Sequence, residues 1–554
     1  MIHSKQYTQL EVFAISIKDT EGKVVVKDRN GKVMEQSAGS SYYKRLRFKL
    51  EMHTDYEVFL TGAKASCAYL CGNENILEEG ICYLSGEPEF ELVDAGKLSE
   101  HYDTCYREQY HFAPFVNWMN DPNGLCWYQG RYHMFYQANP HSQQWNNMYW
   151  GHAVSRDLIH WTHLPVIFEP QELILEHADE YIGGAYSGSA VVLEDEVLLY
   201  LTRHLELLNG SKKAVETQCM TRSRDLLHFE PEKTVIDQKP EGCSEDFRDP
   251  KVLKIGDIWY MVLGSAINGK AAILLYRSDD MEQWSYGSPL LIEQTDGIRC
   301  FECPDFYELD GKYVAVGAWM EHFDENQRYQ MSRYYVGDWK DGTYEIQNSG
   351  WFDFGSNCYA MQSFEHEGRR ICFSWISDFY QEHVEVENGS YGSLTIPREM
   401  HVKDNMLFME PVSEIYALQD ERICRDCEKE VSISKIPGNS YFARLYLTGD
   451  SDFFLTLGRD GEKTIALVRE AGVTAIQTKG VKSEATVFPS HVKEVRYMEI
   501  FVDRRVVEIY LNHGESAGTK LFYNSGKNGV FELTAKHPEE FSQIELYQMK
   551  SIWK

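Results

Sequence analysis

The sequence predicts an all-β chain: a five-bladed β-propeller followed by a C-terminal β-sandwich and preceded by an N-terminal β-rich domain. Three observations carry that prediction. Apolar and polar residues alternate over short segments along most of the chain, the period that turns one face of a strand inward. A motif of the form S-x-D recurs in units of about 54 to 66 residues, a period that suits four-stranded blades. The texture changes near His111 and again after Pro397-Arg398-Glu399, which divides the chain into three parts.

In the first part, residues 1–107, segments 43–50 and 56–60 alternate, and Asn30-Gly31 and Gly39-Ser40 supply turns between strands. The second part, residues 108–410, repeats itself. Ser155-Arg156-Asp157-Leu158, Ser223-Arg224-Asp225-Leu226 and Ser278-Asp279-Asp280-Met281 are each followed by an aromatic, Trp161, Phe229 or Trp284, and Gly337-Asp338-Trp339 is a degenerate fourth copy. A Gly turn leading into an apolar strand recurs at Gly130, Gly256 and Gly311. Five units start near Asp121, Ser187, Asp249, Pro304 and Cys358, hence five blades. In a propeller the first strand of each blade lines the central channel, so residues equivalent in the repeat converge at one mouth of the axis. A linker over residues 411–424, helical around 412–419, leads to residues 425–554. Alternating segments there, 453–457, 497–502 and 506–511, predict an antiparallel sandwich.

Composition narrows the function. The 554 residues are 43% hydrophobic and 13% aromatic, a folded composition, and 55 Lys+Arg against 85 Asp+Glu give a formal charge of −30. That charge repels phosphate backbones and anionic headgroups, so neither nucleic acid nor a membrane is an expected partner. Gln9 and Glu11 interrupt the apolar stretch at the start, and a run of about 18 apolar residues is missing, so a soluble cytoplasmic protein is expected. Thirteen scattered cysteines do not form the framework of a small secreted domain, and reduced thiols are expected. The pair Cys424-x-x-Cys427 lacks the second pair that a zinc site needs, so neither metal nor cofactor is expected.

Carboxylates carry the chemistry. Trp118-Met119-Asn120-Asp121-Pro122-Asn123-Gly124, Phe247-Arg248-Asp249-Pro250 and Phe301-Glu302-Cys303-Pro304-Asp305 each put an acid at a blade start. A lone Asp-Pro is an ordinary turn. Three such acids at equivalent repeat positions predict a cluster, and crowded like charges raise the pKa of one member. A pair about 5–5.5 Å apart is what a retaining glycosidase needs, one ionised as nucleophile and one protonated as acid. The flanking aromatics Trp118, Trp145, Trp150, Phe247 and Phe301 suit the apolar face of a sugar, although each taken singly reads as core.

The segments WMNDPNG, FYQANP, YWGHAVSRDLIHW, YSGSAVV, FRDPKV and FECPDF resemble the successive signatures of glycoside hydrolase family 32, the invertase, levanase and inulinase family. The likeness covers about residues 108–400, and Ile500-Phe501-Val502-Asp503-Arg504 with Val507-Glu508-Ile509-Tyr510 is similar to that family's C-terminal sandwich. It implies Asp121 as nucleophile, Glu302 as general acid/base and Asp249 as transition-state stabiliser of a retaining, exo-acting β-fructofuranosidase. It further implies that Asn120, Gln137, Trp145, Ser187 and Arg248 contact the fructosyl unit, with Trp118, Tyr186 and Phe379 as aromatic walls. The implied partner is a small carbohydrate: sucrose, a fructooligosaccharide, or levan or inulin. A fructosyltransferase would share all three carboxylates, whereas a non-catalytic fructan-binding propeller would be expected to lose one of them.

Three features depart from the family pattern. Asn357 stands where a second Asp is usual, within Asp353-Phe354-Gly355-Ser356-Asn357-Cys358-Tyr359-Ala360. Ser374-Trp375-Ile376-Ser377-Asp378-Phe379 puts Phe379 in place of a Trp platform. The third is the N-terminal domain itself, for which packing or contacts in a homo-oligomer is the default expectation, ahead of sugar binding or shaping of the pocket rim.

Overall fold

The computed structural model describes residues 1–85, 91–92, 100–209, 214–380, 389–425, 431–526 and 528–553. Five antiparallel sheets follow one another in chain order as the blades of a propeller. Blade 1 is the meander Asn117–Tyr128, Arg131–Asn139, Tyr149–Ser155 and Trp161–Leu164. Blades 2, 3 and 4 repeat it from Tyr181–Val192, Cys243–Ile255 and Phe301–Leu309. Blade 5 comprises Tyr359–His366, Arg369–Trp375, Arg398–Lys403 and Met406–Pro411. First strands of successive blades touch around the axis, and that of blade 5 returns to blade 1, so the ring closes. Ser390–Tyr391, reached from blade 5, pairs in parallel with Asn117 and Trp118 and latches the closure.

The recurring S-x-D motif is the turn between the third and fourth strands of a blade. Asp157 accepts the backbone N–H groups of Ile159 and His160, Asp225 those of Leu227 and His228, and Asp280 those of Glu282 and Gln283. Each Asp thereby replaces the sheet bonds that the turn gives up. The residue after each, Leu158, Leu226 or Met281, sits at φ of 67°, 56° or 66°, the left-handed conformation that the turn requires.

Ahead of the propeller, a four-stranded and a five-stranded sheet enclose Leu10, Val12, Val24, Val26, Leu46, Phe48 and Val58, and this core continues into Tyr149, Val154 and Leu164 of blade 1. Beyond it, two six-stranded sheets form the sandwich. The helix expected around 412–419 is a 3-10 turn, Ser413–Leu418. The strand Gln419–Arg425 follows at once and pairs with Phe541–Met549, so the sandwich begins inside the stretch read as linker.

Propeller and sandwich meet across buried charge. Asp503 accepts the backbone N–H groups of Gln109, Tyr110 and His111, and His111 bridges Asp503 and Glu508 at 2.9 and 3.0 Å. Arg398, fully buried, pairs with Asp353 at 3.1 Å and Glu508 at 2.7 Å. Charges so far from water persist only when paired this completely. Eleven of the described cysteines form no disulfide, but Cys424 is disulfide-bonded, against the expectation of reduced thiols throughout; Cys427 lies outside the described residues. Among the described residues no helix is long and apolar enough to cross a membrane.

Candidate active site

Each inner strand slips register against its neighbour at one equivalent place: between Met119 and Pro122, Ala185 and Gly188, Arg248 and Lys251, Glu302 and Asp305, and Tyr359 and Gln362. A bulge inserts an unpaired residue and re-aims its side chain. Asn120-Asp121, Tyr186-Ser187, Asp249 and Cys303 all occupy these bulges, with Asp249 at φ 65° and Cys303 at 46°. The repeat thus brings residues in or beside five sheet irregularities, Glu302 and Tyr359 flanking theirs, to one point.

They open into a cavity of about 360 Å³. All eleven residues expected from the sequence line it: Asp121, Asp249, Glu302, Asn120, Gln137, Trp145, Ser187, Arg248, Trp118, Tyr186 and Phe379. Trp150, Phe247 and Phe301 belong instead to the core, fully or almost fully buried. Asn357 lies outside the lining; its amide accepts from Lys520 at 2.9 Å and Leu521 at 3.1 Å and donates to the Ser377 carbonyl. That pairing needs a donor and an acceptor at once, which Asn supplies and an ionised Asp does not.

The three carboxyl groups share partners. Asp121 accepts from Ser187 Oγ at 2.7 Å and from Cys303 Sγ at 3.4 Å, while the Cys303 backbone N–H donates to Asp249 at 2.7 Å. One residue therefore bridges Asp121 and Asp249, and Glu302 precedes it in the chain. Glu302 accepts from Arg248 Nη1 at 2.8 Å and from the Tyr359 hydroxyl at 2.7 Å. Arg248 is oriented from behind by Glu216 at 2.8 Å and by Asp246. Arg299 lies against Asp246 at 3.0 Å and Glu321 at 2.7 Å.

Burial pushes all three carboxyls upward. For Asp121 the bonds from Ser187, Asn120 and Cys303 oppose that rise. Asp249 stands well above the usual carboxylate range, restrained by Arg248 and pushed further by Glu302 and Asp121. Glu302 is raised too, with Arg248 and Tyr359 favouring its ionised form and the charges of Asp121 and Asp246 opposing it. Burial and mutual like charge thus oppose simultaneous ionisation of all three.

Aromatic rings build the walls. Trp118 stacks on Tyr391 at 5.0 Å and donates to Asn120 at 2.8 Å. Tyr186 stacks on His204 at 4.3 Å. Phe379 presents its ring against Tyr359 and Trp375 at 5.1 and 5.3 Å. The lining also includes His204, Glu206, Arg299, Met320, Gln330, Tyr359, Trp375 and Asp378, which the sequence did not single out as site residues. Tyr359, Trp375 and Asp378 sit in the two segments that depart from the family pattern; the others carry no local signal. Asp378 accepts from Tyr391 at 3.0 Å and from Tyr523 of the sandwich at 2.7 Å, so the third part of the chain reaches the cavity floor. Among the described residues no group of His, Cys, Asp and Glu is arranged to hold a metal.

The model of the glycosyl hydrolases family 32 N-terminal domain matches residues 111–411, and that of the family 32 C terminal matches residues 451–548. A sucrose-6-phosphate hydrolase of Escherichia coli is 30% identical over 498 residues, 82% of this chain and 96% of that protein. Among solved structures, a glycoside hydrolase family 32 protein from Bifidobacterium adolescentis has TM-score 0.93 and 32% identity, covering 100% of this chain and 99% of that one. The family 32 beta-fructofuranosidase of Bombyx mori has TM-score 0.71 and 26% identity, covering 83% of this chain and 97% of that one.

Proposed function

This chain belongs to family 32 of the glycosyl hydrolases, and from that premise we propose that it is a retaining, exo-acting β-fructofuranosidase that removes terminal β-D-fructofuranosyl units from sucrose and short fructooligosaccharides. The observation that carries the reading is the convergence of Asp121, Asp249 and Glu302 on one cavity through shared partners. In the first step the Asp121 carboxylate attacks the anomeric C2, the C2–O bond breaks, and the Glu302 proton passes to the departing oxygen. Asp249, whose ionised form Arg248 favours, supplies the negative charge that an oxocarbenium-like transition state needs. In the second step Glu302, now ionised, takes a proton from water, the water oxygen attacks C2, and Asp121 leaves, so configuration is retained. Asn120, Gln137, Ser187 and Arg248 hold the sugar hydroxyls, and Trp118, Trp145, Tyr186 and Phe379 pack its apolar edges.

The leaving group we favour is uncharged. Arg299 is paired with Asp246 and Glu321, and Glu206 adds a carboxylate to the lining, so a sugar phosphate would enter a negative cavity with no unpaired cation among the described residues to meet it. This sets the chain apart from the named activity of its Escherichia coli relative. The same reading has the enzyme working in the cytoplasm, where eleven of the described cysteines, all but Cys424, would stay reduced.

The test is NMR of purified protein with sucrose, sucrose-6-phosphate, 1-kestose, inulin and levan, following the first anomer released. Initial β-fructofuranose from sucrose and 1-kestose, faster than from the phosphate, is expected. An initial α anomer would overturn retention, new fructosyl linkages would make the protein a transferase, and silence on all five would remove the assignment.

A further inference from the structure

Residues 140–148 join the second and third strands of blade 1 and carry Trp145 into the cavity wall. Trp145 is 44% exposed and meets Tyr186 edge-on at 6.3 Å, so its own packing holds it weakly and its position depends on the loop beneath it.

That loop is gripped from the N-terminal domain. The His141 ring stacks flat on Tyr43, centroids 4.3 Å apart and planes at 10°, with Tyr42 edge-on at 5.2 Å and Phe13 at 5.6 Å. Its Nδ1 meets Ser66 Oγ at 2.7 Å, and its Nε2 meets the Tyr149 hydroxyl of blade 1 at 3.0 Å. Burial pushes the imidazole down to about 3, so the ring stays neutral and makes one hydrogen bond with each domain, one nitrogen donating and the other accepting. The Tyr42 hydroxyl lies near the Asn147 side chain at the far end of the loop. Asn147 in turn accepts the N–H of Gly183 at 2.9 Å, in the blade 2 strand that bears Tyr186 and Ser187.

The segment 39–43 also reaches the connection that leads into blade 2, where Ser41 Oγ accepts the Ala178 N–H at 2.8 Å. The turn is tight enough to demand glycine, since a Cβ on Gly39 would stand 1.8 Å from the Tyr42 carbonyl oxygen. These contacts come from residues ahead of the segments that the family models match.

We propose that the N-terminal domain is a positioning unit for the substrate site: through His141 and Asn147 it fixes the loop that carries Trp145 and so sets affinity for the incoming sugar. The proposal rests on the fructosidase reading above for what the affinity is measured against. Tyr43 is a positioning residue in this scheme, since it touches the loop and not the sugar.

The experiment compares full-length wild type with Tyr43→Ala, Tyr43→Phe, Trp145→Ala and the Tyr43→Ala/Trp145→Ala double variant. Loss of loop order removes binding that ground and transition states share, so Tyr43→Ala should raise KM for sucrose about tenfold with kcat within about twofold. Tyr43→Phe keeps the stacked ring and should restore the wild-type KM. With Trp145 already absent, Tyr43→Ala should add less than about twofold, the non-additivity of coupled residues. Hydrogen–deuterium exchange of residues 140–148 should rise in Tyr43→Ala while the blade 3 strands keep their protection. Unchanged exchange in the loop, or fully additive KM effects, overturns the proposal. Wild type that turns over no fructoside counts against the fructosidase reading alone, and the exchange arm still decides the role of the domain.

Discussion

Removing one phenol should move the alkaline limb of the pH–rate profile upward. Tyr359 donates to Glu302 Oε2 at 2.7 Å, and its own hydroxyl is held well above the usual range by burial and by the Glu302 charge, so it remains a donor at any working pH. A hydrogen bond to a carboxylate contributes about 1.5–3 kcal/mol to the ionised form. At about 1.36 kcal/mol per pKa unit, its loss corresponds to roughly one to two units. Arg248 still faces the other oxygen, so the lower figure applies. The sign follows from which form is bonded: Tyr359 favours the carboxylate, hence Tyr359→Phe raises the Glu302 pKa and lets the acid keep its proton to higher pH. The descending limb of kcat/KM for sucrose, read from initial rates of glucose release, should shift upward by about one unit. The ascending limb, which reports the ionisation of Asp121, should stay in place because Ser187 and Cys303 still donate to it. An active variant whose descending limb stays put or moves down would refute the assignment of Glu302 as the acid.

Asp121→Asn should cut kcat for sucrose by at least about a thousandfold with the circular-dichroism spectrum unchanged, since a nucleophile that acts as part of a unit is not replaced by its neighbours. Arg398→Met leaves Asp353 and Glu508 buried with less counter-charge and should cost about 3–5 kcal/mol in guanidinium unfolding, whereas an effect under about 1 kcal/mol would mean that the network is not what joins sandwich to propeller. Burial alone would lower the pKa of His111, but its hydrogen bonds to Asp503 and Glu508 raise it to about 9 from the ordinary 6.5. A folded value above the unfolded one gives stability that is complete below about pH 6.5 and lost as pH rises through about 9. His111→Asn should therefore lower Tm strongly at pH 6 and little at pH 10, and an equal drop at both would show that the imidazole is uncharged in the fold.

The parts of this molecule that could be read from its sequence are those in which chemistry and backbone geometry coincide. Asp121, Asp249 and Glu302 stand beside Pro, Asn-Gly or Cys-Pro because the bulges that aim them need unusual backbone, and the repeat places those bulges at matching positions. Both signals are local, so both are written in a few consecutive residues. Glu216 orients Arg248 and Tyr359 bonds Glu302 from neighbouring blades, and no spacing marks them, whereas Asp246 supports Arg248 from two residues earlier on the same strand. The stretch taken as linker became a strand because its partner, Phe541–Met549, lies at the far end of the chain.

The N-terminal domain makes the same point in reverse. Alternation identifies its strands, since burial of one sheet face is a period of two, but the face it turns to the propeller is decided by Tyr42 and Tyr43 meeting His141 about a hundred residues on. Packing or oligomer contacts was the natural expectation for a domain without a recognisable site. The domain does pack on blade 1, and the positioning role proposed above adds to that packing because the residues it grips are continuous with Trp145 and with the strand of Tyr186 and Ser187. A propeller builds its reactive centre from inner strands that the ring closure holds rigidly, and leaves its rim to loops that closure does not hold. A domain that docks on those loops can then change what enters the cavity without touching the groups that react, and that is where a fructoside hydrolase has room to vary its substrate while its three carboxylates stay in place.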